Sequence, residues 1–267
     1  MKMEEWMHII SEMDAMVSMA DFRYNHPEAE EAEFVSGSPE ADTESIVSEN
    51  AGIGSPEIVF DGKNLYHPFL GAKAVKNDFT IKDDNYYIIT GANMAGKSTF
   101  LRSLGVNYIL AMAGMPVFAD QLKISRFRLF SSMRTTDDLT HGISYFNAEL
   151  IRLEELLKFC RESGEDNKEP LRTLIILDEI LKGTNSLDKL NGSRKFLEAI
   201  AKQPVSGIIA THDLELSKME NDASGKFHNY CFEIDLGTDV TYTYKIQKGV
   251  ARNQNATFLL NKILEKY

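Results

Sequence analysis

Gly91 and Gly96 are followed directly by Lys97, Ser98 and Thr99, so residues 91–98 spell G-x-x-x-x-G-K-S. Glycine lacks a Cβ, and two of them let a backbone turn several N–H groups inward around an anion. A lysine and two hydroxyls at the close of such a turn have a distinct chemistry. The ammonium faces β- and γ-phosphates, the first hydroxyl coordinates Mg²⁺, and the second adds a phosphate contact. The spacing therefore assigns residues Gly91, Ala92, Asn93, Met94, Ala95, Gly96, Lys97, Ser98 and Thr99 to a nucleoside triphosphate. Lys97 stands at the reacting end and Ser98 stands as a metal ligand. An ordinary glycine turn before an exposed lysine is the competing reading.

Two further pieces of chemistry end apolar runs. Leu174 to Leu177 lead into Asp178 and Glu179, where one acid would hold the Mg²⁺ shell and the other polarise an attacking water. "GIIAT" leads into His212, a residue suited to sensing a γ-phosphate. Surface acids and a surface histidine are the alternatives for these two. Ser144 precedes a long helical pattern and is placed to cap it, presenting the positive end of that helix to an anion. It would serve equally as the cap of a plain packing helix.

These residues need a scaffold, and the remaining pattern supplies one. "NYYIIT", "RTLIILDE" and "VSGIIAT" are continuous apolar runs of the kind buried on both faces of a parallel sheet. Helical patterns run from about Gly96 to Ala113 and through "YFNAELIRLEELLKFC", where Phe146, Leu150, Leu153 and Leu157 share a face. "SRKFLEAIAK" is a third. "IVFDGKNLY", "DFTIKDD" and "FRLFSSM" read as strands, and "YCFEIDL" and "VTYTYKI" as antiparallel strands at the sheet edge before a closing helix from about Ala256. The expected fold is α/β, a P-loop nucleotide triphosphatase of ABC type with a mostly parallel sheet flanked by helices. In such a sheet ligands sit at the carboxyl ends of the strands, which brings Lys97, Glu179 and His212 together.

Residues 1–24 read as one helix with Trp6, Ile9, Met13, Met16, Val17 and Ala20 on a packing face. That stripe has little beside it, so the chain is expected to be part of a longer protein. Residues 25–56 turn to Glu, Ser, Gly and Pro, the profile of an acidic linker or loop with a short strand near Phe34 and Val35. Residues 57–267 are expected to form the ATPase domain. With 267 residues, 43% of them apolar, the chain has enough to bury a substantial core. A net charge of −11 excludes a broad basic face for nucleic acid. Cys160 and Cys231 lack metal-site spacing, and no apolar run spans a bilayer, so a cytoplasmic location is expected.

The motifs together resemble the ATPase domain of the MutS family of DNA mismatch-repair proteins. "IITGANMAGKSTFLR" is similar to its phosphate loop, "DDLTHGISYFNAEL" to its trans-acting loop, and "LDEILKGTNSLD" to its magnesium-acid segment. "ATHDLEL" is similar to its histidine switch and "YKIQKGVARNQNATFLL" to its closing stretch. The resemblance implies Mg²⁺-dependent ATP hydrolysis at a site shared by two copies, with ATP driving a clamp on DNA. Ser144 would reach the γ-phosphate bound by the other copy, and Gly183, Thr184, Asn185 and Ser186 would lie across the seam. DNA contact would come from other parts of the parent protein. Three departures stand out. Ala95 replaces a glycine, Leu181-Lys182 replaces Gly-Arg, and the aromatic that packs on adenine is missing near Ala74 to Asn77. Phe196-Leu197-Glu198 spells the family's wedge string but sits on an amphipathic helix, where Phe196 is expected in the core. A nucleotide-switched dimerisation module without mismatch recognition is the alternative function.

Overall fold

The computed structural model describes residues 2–35, 58–133, 145–162, 172–182, 185–236, 240–252 and Leu264. It is a mixed α/β structure built on two sheets. Ser144, Gly183, Thr184, residues 36–57, the charged turn at 164–170 and the closing helix expected from Ala256 lie outside this set, Leu264 excepted.

Six strands form the larger sheet: β4 (Tyr86–Gly91), β6 (Arg128–Met133), β7 (Thr173–Asp178), β8 (Val205–Thr211), β9 (Phe227–Leu236) and β10 (Val240–Lys248). Their order is β10-β9-β4-β8-β7-β6. Every residue of β4, β7 and β8 is buried, which explains the uninterrupted apolar runs: each pleat direction meets a core. Ile89, Ile176 and Ile208 point into one core with Leu101 and Leu104 of helix α2 (Lys97–Met112). Ile88, Ile175 and Ile209 point into the other. There they meet Leu156 of α3 (Tyr145–Glu162) and Leu197 of α4 (Ser186–Ile200).

The tail strands correct the expectation. β9 pairs in parallel with β4, from Tyr86↔Phe227 to Gly91↔Phe232, and only β10 is antiparallel. The cause is burial: Phe227, Cys231, Phe232 and Ile234 are all core residues, so β9 cannot be an edge. A second sheet, not anticipated, has the order β1-β5-β2-β3. Its strands are Glu33–Phe34, Ile58–Leu65, Asn77–Lys82 and Gln121–Ile124 for β1, β2, β3 and β5. Its Phe60, Ile81 and Leu122 join the first core, together with Leu101 and Leu104 of α2.

Two helical faces also differ from the pattern. On α3 the inward seam runs through Glu149, Leu156 and Cys160, while Leu150 is 43% exposed and Phe146, Leu153 and Leu157 are only partly buried. A buried carboxylate at Glu149 hides this seam from an apolar-periodicity reading. On α1 (Lys2–Asn25) the expected packing face is open, with Trp6, Ile9, Met13, Met16 and Val17 all near or above half exposure. No described residue covers it. Among the described contacts, Phe22 in its last turn and the adjoining His26 meet Phe118. On α4, Leu197 and Ile200 are the fully buried residues, and Phe196 sits at the core margin and not in the core. Among the described residues, no helix is long and apolar enough to cross a membrane. Both cysteines are buried, and burial pushes their thiols up to about 11.

A polar side chain of α2 is tied to the segments that flank β2 and β5 of the small sheet. Asn107 is fully buried and donates to Tyr66 O at 3.0 Å and Ser103 O at 2.8 Å, while its Oδ1 accepts from Phe118 N at 2.6 Å. Asn107→Ala strands a buried N–H and a buried carbonyl together. It is expected to lower stability by roughly 2–4 kcal/mol, measured as a shift in the urea midpoint at unchanged slope.

Candidate functional site

Parallel register decides where the chemistry gathers. Thr90 lies beside Thr211, Asp178 beside Ala210 and Gly91 beside Phe232. Three chain segments therefore leave the sheet at one level: the loop after β4, the acids ending β7 and the histidine after β8. They border a cavity of about 800 Å³, within the range of small-ligand sites.

The loop Ala92–Gly96 rises from β4 and folds into the first turn of α2. Gly91 lies so close to β9 that a Cβ would meet Phe232 O at 2.9 Å, and Gly96 has φ 109, a value that favours glycine. Asn93, Met94, Ala95, Gly96, Lys97, Ser98 and Thr99 all border the cavity. Ala95, at the position where the resemblance places glycine, is buried with an ordinary backbone, so its methyl fits.

Lys97 is 6% exposed. Its Nζ donates to Gly91 O at 2.7 Å and Ala92 O at 2.9 Å and approaches His212 Nδ1 at 3.4 Å. Burial pushes its pKa down to about 8, against the upward pull of Asp178 and Glu179. An ammonium has only donors, so this contact suits the tautomer that carries its proton on Nε2 and leaves Nδ1 to accept. Packing around the ring and the Lys97 charge both hold His212 below its ordinary value. It is therefore neutral near pH 7, with an N–H to offer a ligand oxygen.

Asp178 is buried at the end of β7, and Glu179 follows with φ 69. Glu179 N donates to Ala210 O at 2.9 Å, so the strained residue is tied to the sheet. Leu181, with φ 55, is also left-handed. Non-glycine residues there cost roughly 1–3 kcal/mol each, a strain that the glycine implied by the resemblance would avoid. Ser98 hydroxyl and Asp178 carboxylate face one cavity and supply oxygen only, a donor set that fits Mg²⁺.

Four participants were not read from the sequence. Lys189 of α4 forms an ion pair with Glu179 Oε1. Tyr244 borders the cavity from β10 and would touch a Cβ on Gly96 at 3.1 Å. It stands in a register shift between Tyr242 and Ile246, with φ 53. Asn77 of β3 holds that bulge, donating to Tyr244 O at 3.0 Å and accepting from Ile246 N at 2.9 Å. His67 also borders the cavity. An aromatic wall thus exists where the sequence near Ala74 to Asn77 lacks one. A bulge has no sequence signal of its own, so only the alternating tyrosines of "VTYTYKI" hint at it. Asn185 accepts from Asp188 N and caps α4, and Ser186 borders a smaller cavity beyond His212.

Comparison with known proteins fits this arrangement. The family model described as MutS domain V matches residues 87–258. The DNA mismatch repair protein MutS of Lachnoclostridium phytofermentans is 32% identical over 204 residues, 72% of this chain and 21% of that protein. MutS of Persephonella marina is 31% identical over 195 residues, 70% of this chain and 21% of its own. MutS of Ruminiclostridium cellulolyticum is 31% identical over 221 residues, 77% and 24% respectively. The chain thus spans less than a quarter of the length of these curated relatives.

The depressed Lys97 pKa has a thermodynamic consequence. Between about pH 8 and its ordinary 10.5 the unfolded chain binds a proton at Lys97 that the folded chain has released. Stability therefore gains from this residue as pH rises through that window, by at most about 1.4 kcal/mol per pH unit. Urea denaturation of wild type and Lys97→Met at pH 8 and pH 10 is expected to diverge by about 2 kcal/mol in favour of wild type at the higher pH. Parallel behaviour would show the ammonium to be effectively solvated.

Proposed function

Since the chain belongs to the MutS family through that family's domain V, we propose that it is an ATPase module of ABC type that binds and hydrolyses ATP with Mg²⁺. One observation carries the reading: Lys97, Ser98, Asp178, Glu179 and His212 come from three separate segments and face one cavity. The triphosphate lies along the Asn93–Thr99 loop, with the positive end of α2 behind it. Lys97 exchanges its two carbonyl partners for β- and γ-oxygens, so a buried charge gains a counter-charge. Ser98 and Asp178 would hold Mg²⁺, which would neutralise charge growing on the phosphate oxygens. Glu179 orients a water and takes its proton as the water oxygen bonds to the γ-phosphorus and the bond to the β-bridging oxygen breaks. His212, neutral and protonated at Nε2, donates to a γ-oxygen. Tyr244 and His67 provide the wall for the base.

The site is completed by a second copy of the chain, Ser144 of one copy serving the nucleotide of the other. The parent protein is a DNA mismatch-repair clamp whose DNA contacts come from regions other than this acidic one. The MutS relatives and the net charge of −11 support that division. A nucleotide-switched dimerisation module is the second reading, and the ion pair between Lys189 and Glu179 favours it because that carboxylate is already engaged.

Glu179→Gln is expected to keep ATP affinity while single-turnover hydrolysis falls about 10²-fold or more, and Lys97→Ala to lose nucleotide binding. Specific activity of wild type is expected to rise with protein concentration. Normal hydrolysis by Glu179→Gln would remove the carboxylate from the mechanism. A rate that does not depend on concentration would remove the shared site.

A further inference from the structure

The acids ending β7 are held from outside the sheet by α4. Lys189 and Gly192 are three residues apart on this helix and so share a face. Leu181 Cδ1 fills the notch over Gly192, where a Cβ would come within 2.4 Å of it. One turn earlier the Lys189 ammonium reaches Glu179 Oε1. These contacts bracket the two left-handed residues, Glu179 and Leu181, so α4 holds the side chains of this segment while the Ala210 carbonyl holds its backbone at Glu179. The ion pair is mostly enclosed, with 21% of the Lys189 side chain and 15% of the Glu179 side chain exposed. Screening by water is correspondingly weak.

We infer that Lys189 is a positioning residue that restrains Glu179 in the resting site and limits hydrolysis until the pair opens. This rests on the reading of Glu179 as the carboxylate that orients water. A carboxylate bonded to an ammonium offers fewer lone pairs to a water, and its direction is set by α4 and not by the nucleotide. Lys189 also borders the smaller cavity beyond His212, together with Ser186 and Glu215. A group entering that cavity has Lys189 within reach, and an acceptor there would draw the ammonium away from Glu179. Opening the pair is thereby tied to occupancy of a surface next to the nucleotide and distinct from it.

Single-turnover ATP hydrolysis is measured for wild type, Lys189→Gln, Lys189→Arg and Glu179→Gln at saturating protein, with ATP affinity determined for each. Lys189→Gln is expected to hydrolyse roughly three- to tenfold faster than wild type at unchanged affinity. Lys189→Arg, which keeps the pair, is expected to return the rate to the slow value. A Lys189→Gln rate at or below wild type, with Glu179→Gln inactive, overturns the restraint and leaves the ATPase reading standing. Normal hydrolysis by Glu179→Gln instead overturns the carboxylate role on which the restraint rests. Should Lys189→Gln melt before assay temperature, Lys189→Ala takes its place with the same two outcomes.

Discussion

The structure depends on an ammonium that is buried without a carboxylate in contact. Lys97 is satisfied by two loop carbonyls and the edge of a neutral histidine, while Asp178 and Glu179 act on it only through space. A charge so placed is tolerable only if the carbonyls hold their direction, because an isolated buried ion costs far more than its two hydrogen bonds return. The Ala92–Gly96 loop must therefore be rigid, and its rigidity comes from its ends. Gly91 is the last residue of β4, pressed against β9, and Gly96 opens into α2.

Rigid ends require a sheet that fixes relative height. β9 and β8 flank β4 in parallel, and β7 follows β8, so residues 91, 178 and 211 emerge at one level by register alone. Antiparallel neighbours would have sent successive loops to opposite ends. The placement of β9 inside the sheet is thus part of the site: its Phe232 backbone sets how near the loop can approach. The small sheet also acts on the site. Through Asn77 it holds the bulge of β10 and with it Tyr244, and through Asn107 it is locked to α2.

Much of this was readable from sequence, for a physical reason. Strands buried on both faces must be apolar throughout, and a tight turn with left-handed backbone favours glycine, so β4, β7, β8 and the Gly91–Thr99 segment announce themselves. Features set by polar or geometric exceptions do not. The α3 seam runs through Glu149, and apolar spacing pointed one position aside to Leu150. β9 and β10 adjoin in sequence and pair as a hairpin, and nothing local tells that β9 also pairs with β4 in parallel. Asn77, Asn107 and Lys189 act at sequence separations of 169, 11 and 10 residues. No residue-type rule flags a contact made by so ordinary a side chain. Leu181 is the instructive departure. The glycine expected from the resemblance would have relieved a left-handed backbone, whereas a leucine there buries its side chain on α4.

That replacement changes what the site can do. A glycine after the acids would let the segment relax independently of its surroundings. Leucine couples it to α4, since its side chain must leave the Gly192 notch whenever the backbone changes. Glu179 is then governed from two sides, by the sheet through Ala210 and by α4 through Lys189 and Leu181. His212 borders both the larger cavity and the smaller one that Ser186 and Lys189 line. A shift of α4 therefore alters the carboxylate and the ring-lined boundary together, and no long relay between residues is needed. Coupling of this kind follows from shared walls. The strained residues are the ones placed to report it, because a left-handed backbone held only by its neighbours has a lower-energy conformation to move to when they withdraw.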